Sequence, residues 1–245
     1  AFPMPKPHSA SKLKEAWGVL RDFGVWALCA QILGWAGVYR LLLVVGGAVS
    51  AMDDRAKIPL QFGELTADDI AEYCSLRPDA DPQVIRRRLF EGHQCLIARS
   101  EDGEMVANLW FGSGRIKVDF AGCYIEPRSK CMYLYDEFVA ERYRGLGVAG
   151  GLETYRNQYL LEQGIVLAIG AVWPGNHISL NRTRKRDYPE VGYVSAWKIF
   201  GWTHSRLSLR DNGHAPLIQA AYSSKDASRA LPIERLEGAG VKRPA

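Results

Sequence analysis

The sequence predicts a mixed α/β fold, and two patterns carry this prediction. The first lies at the centre of the chain, where Tyr133–Val139 is rich in aromatic and branched residues and therefore favours a strand. After Gly147, helical spacing places Leu152, Tyr155 and Tyr159 on one face. A strand that leads directly into a helix is therefore the central element of the chain.

The second pattern consists of paired extended segments. Cys95–Arg99 and Met105–Gly112 are joined through Asp102-Gly103, a hairpin signal. Gly192–Phe200 and Trp202–Leu209 form a second hairpin that turns at the glycine between them. The remaining predicted strands are Val38–Val45, Leu60–Leu65, Ile116–Phe120 and Val166–Trp173.

Start and stop signals mark the other helices. Ser11–Gly34 is a helix whose start is capped by a hydroxyl, and Thr66–Asp69 supplies the same kind of signal with an acid three residues on. Asp81-Pro82 starts a third helix, which Gly92 ends. Gly164 ends the central helix as a left-handed cap.

The N-terminal region is unusually apolar, because Phe23–Met52 holds a single charge, Arg40. The uncharged run before Arg40 is shorter than the roughly 20 apolar residues that span a bilayer. A helix and strand packed on the core are favoured over a segment that lies on a membrane, and peripheral attachment stays open.

Composition allows a globular enzyme and argues against a nucleic-acid protein. A chain of 245 residues with 47% hydrophobic content can bury a core. Its net charge of +4 suits an anionic cofactor but is far from a clustered basic surface. The odd number of cysteines forms no C-x-x-C pair, which predicts free thiols in a reducing compartment and no metal site: Cys29, Cys74, Cys95, Cys123 and Cys131.

The turn between the central strand and helix predicts an anion site. Gly145 and Gly147 let the backbone approach a ligand, while Arg142 and Arg144 add positive charge. The first turn of a helix also leaves N–H groups unpaired and favours negative charge. The turn is therefore predicted to bind phosphate.

Gly145, Gly147 and Gly150 also spell the dinucleotide fingerprint G-x-G-x-x-G. A dinucleotide site needs an acid at the end of the next strand to hold the ribose. Val166–Trp173 ends without one, which argues against that assignment.

The segment from Val139 to Gly150 resembles the acyl-CoA signature of the GCN5-related N-acetyltransferases, R/Q-x-x-G-x-G/A. The resemblance continues at Pro174–Ser179, similar to the family's N-x-x-S/A helix, and at Gly192-Tyr193, similar to its Gly-aromatic pair. It covers about residues 58–210. It implies a central mixed, mostly antiparallel sheet flanked by helices.

The extent of the resemblance divides the chain into three predicted parts. These are an N-terminal helix-strand extension at 1–56, an acyltransferase domain at 57–222 and a C-terminal tail at 223–245. The layout also resembles, weakly, transferases of bacterial envelope or acyl-amino-acid synthesis.

The resemblance implies direct transfer of an acyl group from acyl-CoA to an amine or hydroxyl in a ternary complex, with a base that takes the acceptor's proton. Asp136 and Glu137 are the two carboxylates in the strand that passes the thioester, and Glu126 is a weaker candidate. Strand alternation places the first two on opposite faces, so at most one faces the acceptor. The alternative is an ion pair with Arg142 or Arg144.

The family's cofactor contacts fall on the central strand, the turn and the Asn-led helix. The strand would hold pantetheine and the turn would hold pyrophosphate, with an arginine pairing directly. The residues so assigned are Phe138, Val139, Arg142, Arg144, Gly145, Leu146, Gly147, Val148, Ala149, Asn176 and Ser179.

This chain departs from the family after Asn176. Many members have a Tyr seven residues later that protonates the leaving thiolate, but here the residue is Thr183, and Tyr188 is out of register. A basic run follows: Arg182, Arg184, Lys185 and Arg186. It would bind the cofactor's 3′-phosphate or an acidic acyl carrier protein, or it is a solvated helix face.

Two other functions stay open. One is a long-chain acyl transferase fed by acyl carrier protein, and the other is a non-catalytic module that binds acyl-CoA. The expected location is the cytoplasm, with attachment to the inner face of the membrane left open.

Overall fold

The computed structural model describes residues 38–118, 121–199, 202–210, 217–223 and 233–236, with isolated positions elsewhere. The predicted helix Ser11–Gly34 lies mostly outside the described residues. Its described positions are helical: Trp17, Leu20, Arg21, Val25, Leu28, Cys29 and Ile32. Gly201, the predicted hairpin turn, and Phe120 also lie outside the described residues.

Twelve strands and four helices are labelled in chain order. The strands are β1 (Tyr39–Ala48), β2 (Leu60–Glu64), β3 (Gln94–Ser100), β4 (Met105–Gly112), β5 (Ile116–Val118), β6 (Cys123–Pro127), β7 (Cys131–Val139), β8 (Leu167–Val172), β9 (Glu190–Ile199), β10 (Trp202–Arg210), β11 (Ile218–Ser223) and β12 (Ile233–Leu236). The helices are α1 (Ile70–Leu76), α2 (Pro82–Phe90), α3 (Val148–Glu162) and α4 (His177–Lys185). The predicted mixed α/β class is confirmed.

The chain divides into two compact units. The first comprises described residues of Ala1–Gly47, Gly114–Arg128 and Ile169–Ala245, and the second comprises Ala48–Ser113 and Ser129–Ala168. The division differs from the three consecutive parts suggested by sequence, whose boundaries stay a prediction.

In the second unit, β2, β3, β4 and β7 form an antiparallel sheet in the order β7-β4-β3-β2. On one face, α1 and α2 cover a core that includes Ile70, Ile85 and Trp110. Helix α3 packs on the same sheet, with Tyr155 stacked on Phe62 and Tyr159 against Phe111. The predicted apolar stripe of the central helix therefore faces the sheet.

The predicted start of α2 and the predicted glycine after α3 are confirmed. The Asp81 carboxylate accepts a hydrogen bond from the Gln83 amide, with Pro82 as the first helical residue. The predicted start at Thr66 is too early: Asp69 is the N-cap of α1 without a side-chain cap hydrogen bond, and its carboxylate accepts from the Thr66 amide and hydroxyl. Gly164 has φ +72 just beyond α3.

In the first unit, β9 and β10 form the predicted C-terminal hairpin, and β1 pairs antiparallel with β9. Strand β12 adds to β10 in parallel, so part of the predicted tail is sheet edge. A separate three-stranded sheet has the order β11-β6-β5. Cys123 begins β6 of this sheet, and its burial raises the pKa of the thiol to about 12. Strands β6, β11 and β12 were not predicted.

Candidate active site

Strand β7 carries a β-bulge at the predicted catalytic carboxylates. On β4, Asn108 pairs with Phe138 and Trp110 pairs with Tyr135, so β7 has one residue more than its partner over this stretch. The extra residue falls at Asp136, whose φ is +51. Asp tolerates this left-handed conformation better than most residues, yet it still costs about 1 kcal/mol.

The bulge cancels the simple alternation assumed from the sequence. Tyr135 and Phe138 face the same side of the sheet, because Arg88 lies over the Tyr135 ring and Arg77 lies over the Phe138 ring, 4.6 Å from its centroid. Parity counted from Tyr133 therefore does not give the direction of the residues after the bulge. Glu137, within the bulge, is partly buried.

Asp136 is bound by two arginines from the helical face of the unit. Arg77, the C-cap residue of α1, donates from Nη1 to Asp136 Oδ1 at 3.0 Å, and Arg88 of α2 donates from Nη1 to Oδ2 at 2.7 Å. Arg77 also donates to Asp79. The predicted alternative to catalysis was an ion pair with Arg142 or Arg144, and the structure instead shows pairs with Arg77 and Arg88.

Aromatic groups enclose this ion pair. Arg88 lies 5.1 Å from the ring centroids of both Trp110 and Tyr135. The Tyr135 hydroxyl is hydrogen-bonded to Nδ1 of His93. Burial lowers the pKa of His93, which favours the neutral imidazole at this hydrogen bond.

The turn after β7 has the geometry predicted for anion binding. A 3₁₀ turn at Glu141–Tyr143 leads to Gly145 and Gly147, with φ +80 and +78. No described residue accepts a hydrogen bond from the amides of Gly147, Val148, Ala149 or Gly150. These four donors at the N-terminus of α3 therefore fit a phosphate group.

The glycines also have a packing role that the sequence did not reveal. The polar run Asp53–Lys57 is typical of a linker in sequence, yet its part Asp54–Lys57, here called the strap, lies against the first turn of α3. The Lys57 amide donates to the Leu146 carbonyl at 2.8 Å, and Thr154 Oγ1 bonds to the Asp54 backbone. A Cβ on Gly147 would lie 3.0 Å from the Arg55 carbonyl oxygen.

The two arginines of the turn have protein partners. Arg142 forms an exposed ion pair with Glu104, which also accepts from the Tyr143 hydroxyl at 3.2 Å. Arg144 donates from Nε to the Val139 carbonyl at 3.2 Å. Both side chains are exposed, so exchange of these partners for phosphate oxygens requires little desolvation.

Substitution of the two glycines should separate strain from packing. Gly145→Ala should lower the free energy of unfolding by about 1–2 kcal/mol, the cost of a left-handed alanine. Gly147→Ala should cost more, since its methyl group also meets the strap, whereas a Cβ on Gly145 meets nothing within 4 Å. Urea unfolding of both variants measures the difference, and equal losses would contradict the packing role of Gly147.

Asn176 and Ser179 lie in the first unit. Asn176 is the N-cap of α4, and its Oδ1 accepts from the Ser179 amide at 3.1 Å. Thr183, in the place of the family's Tyr, donates to the Leu180 carbonyl at 2.9 Å. Three cations of the basic run occupy the last turn of α4, where the helix dipole favours them: Arg182, Arg184 and Lys185.

The remaining candidate, Glu126, lies on β6 and accepts from the Tyr222 hydroxyl at 3.1 Å. Within the described part of the chain, no cluster of His, Cys, Asp or Glu is arranged to hold a metal ion. Over the same residues, no helix combines the length and apolarity needed to cross a bilayer.

Comparisons with known proteins found similar solved structures at low sequence identity. No family model and no curated protein match the chain. An aminoglycoside 6′-N-acetyltransferase from Acinetobacter baumannii matches with TM-score 0.43 and 18% identity, over 54% of this chain and 92% of that one. An acetyltransferase from Acinetobacter baylyi, named as putative, matches with TM-score 0.46 and 16% identity, over 63% and 91%. A ribosomal-protein-alanine N-acetyltransferase from Brucella melitensis matches with TM-score 0.41 and 16% identity, over 54% and 93%.

All three matched structures carry acetyltransferase names, and the motifs of this chain resemble those of GCN5-related N-acetyltransferases. The strand, glycine turn and helix occur in the predicted order, followed by β8 and the Asn-capped α4. The names of two of these structures give an acceptor, an aminoglycoside and a ribosomal-protein alanine, and each acceptor belongs to the matched protein.

Proposed function

We propose that this protein transfers an acyl group from acyl-CoA to an amine of a small-molecule acceptor. One observation carries the proposal: the four unpartnered amides of Gly147–Gly150 follow a strand with a bulge and lie beside two exposed arginines. Backbone donors at a helix N-terminus suit a diphosphate, and arginine adds a guanidinium fork.

In this proposal, the residues of β7 and the turn do different work. The amides of Gly147 to Gly150 bind the pyrophosphate at the end of the turn that Gly145 begins, while backbone groups of Phe138 and Val139 align the pantetheine. Glu137 accepts the proton of the acceptor nitrogen as that nitrogen attacks the thioester carbonyl carbon, and the carbon–sulfur bond breaks to release the CoA thiolate, which takes a proton from water. Asp136 serves the structure, because both of its oxygens are bound by arginine.

Titration calorimetry with acetyl-CoA tests the proposal. Arg144→Ala should weaken binding about tenfold, the loss expected for one charge-assisted contact of about 1.4 kcal/mol. Arg87→Ala is the control, because Arg87 is an exposed arginine of α2 in an ion pair with Glu91. Affinity in the wild type should also fall as salt is raised.

Further measurements distinguish the alternatives. In a titration with an acylated carrier protein, binding of the carrier without binding of CoA would favour the long-chain transferase. Binding of acetyl-CoA without thiol release in any amine screen would favour the non-catalytic module. Absence of binding to every CoA species would show that the proposal is wrong. The cytoplasmic location stays a prediction.

A further inference from the structure

We propose that Arg77 and Arg88 are positioning residues that hold the β7 bulge in the shape needed for the acyl donor. The proposal rests on the proposed function and concerns residues that the family motif does not include. Arg77, Arg88 and Asn108 are together called the clamp, because all three side chains bind Asp136.

The clamp holds Asp136 from three directions. Arg77 and Arg88 bind one carboxylate oxygen each, and their side chains, like that of Asp136, are about 10% exposed. Asn108 is fully buried on β4 and donates from Nδ2 to the Asp136 carbonyl at 2.7 Å. Side chain and backbone of this residue are thus both fixed.

Asp136 needs these three contacts because its local backbone conformation does not favour the bulge. Asp136 adopts a positive φ, and the extra residue interrupts the ladder between β4 and β7. Strained backbone persists only where its surroundings determine it. The guanidinium groups also lie over aromatic rings, Arg88 over Trp110 and Arg77 over Phe138, which limits their own movement.

The bulge lies next to the backbone groups that are proposed to bind pantetheine. Phe138 and Val139, the proposed pantetheine contacts, are two and three residues beyond Asp136 on the same strand. If the clamp is loosened, the fraction of molecules with these backbone groups correctly placed falls, and the apparent affinity falls with it. The turn at Gly145–Gly150 is anchored separately by the strap, so phosphate binding is not affected.

Two ligands separate these effects. Acetyl-CoA reaches both the bulge and the turn, whereas adenosine 3′-phosphate 5′-diphosphate has the nucleotide and pyrophosphate but no pantetheine. Arg88→Ala should weaken acetyl-CoA about tenfold if the competent fraction falls to about a tenth. The nucleotide should bind within about twofold of wild type. Arg87→Ala, one residue away on α2, should change neither affinity.

Arg88→Lys provides a second variant in case Arg88→Ala does not fold. Lysine keeps the charge next to Asp136 but loses the planar fork and stacking, so it should show the same selective loss at about threefold. The rate of hydrogen exchange at the amides of Glu137 and Phe138 should rise in both variants, and more in Arg88→Ala than in Arg88→Lys. Equal weakening of both ligands, or unchanged acetyl-CoA affinity with normal exchange, would overturn the clamp. A wild type that binds neither ligand would instead overturn the proposed function, and the clamp with it.

Discussion

Replacement of Asp136 by Ala should lower the free energy of unfolding by about 3–5 kcal/mol, the cost of removing one partner from a buried ion pair. The Asp136 side chain is 11% exposed, and Arg77 and Arg88 are 9% and 11% exposed. Two guanidinium groups would remain desolvated after the substitution. Asp79 still binds Arg77 after the substitution, so part of that guanidinium charge stays compensated.

Urea unfolding monitored by tryptophan fluorescence measures this loss, and Trp110 next to Arg88 is a natural reporter. Arg87→Ala breaks an exposed pair with Glu91 on the same helix and should change stability by no more than about 0.5 kcal/mol. Asp136→Gly then tests the backbone, because glycine relieves the positive φ but removes both ion pairs. Recovery of wild-type stability in Asp136→Gly would mean that strain, and not charge, dominates at this position.

Local patterns in the sequence were sufficient for the elements around the site. The start of α2 at Pro82, the end of α3 before Gly164 and the turn glycines Gly145 and Gly147 each depend on residues that are near in sequence. Their signals are steric or capping signals, which operate within one helical turn. For this reason the strand, the glycine turn and the helix were all predicted in their correct places.

The partners of Asp136 were not predictable in the same way. Arg77 and Arg88 are 59 and 48 residues away in sequence, while the expected partners, Arg142 and Arg144, are within one short segment. A bulge at a residue other than glycine also gives no local signal in the sequence. The strand alternation of side chains was therefore counted through Asp136 as if the strand were regular.

The strap shows a similar limit, since a polar segment looks like a linker when read alone. Asp54–Lys57 contains no apolar run, and its contacts with α3 are made mainly by its backbone, to Leu146 and Thr154. Sequence patterns describe side chains, and therefore they miss packing that depends on main-chain groups. The glycines of the first turn of α3 are consequently shared between a ligand role and a packing role.

Glu137→Gln should lower kcat by about 10²–10⁴-fold, the usual contribution of a positioned general base. The amide has nearly the same shape as the carboxylate but cannot accept the proton of the acceptor nitrogen. The affinity for acetyl-CoA should stay within about twofold, because the proposed phosphate and pantetheine contacts are made by backbone groups and by Arg144, and none by the Glu137 carboxylate. Release of the CoA thiol in the presence of a reactive amine from the screen measures kcat, and calorimetry measures affinity.

Glu141→Gln is the matched control for this experiment. Glu141 is an exposed carboxylate four residues further along the same segment, in the 3₁₀ turn, and its replacement should leave kcat unchanged. A Glu137→Gln variant that keeps the wild-type rate would exclude Glu137 and require a base elsewhere on the acceptor side.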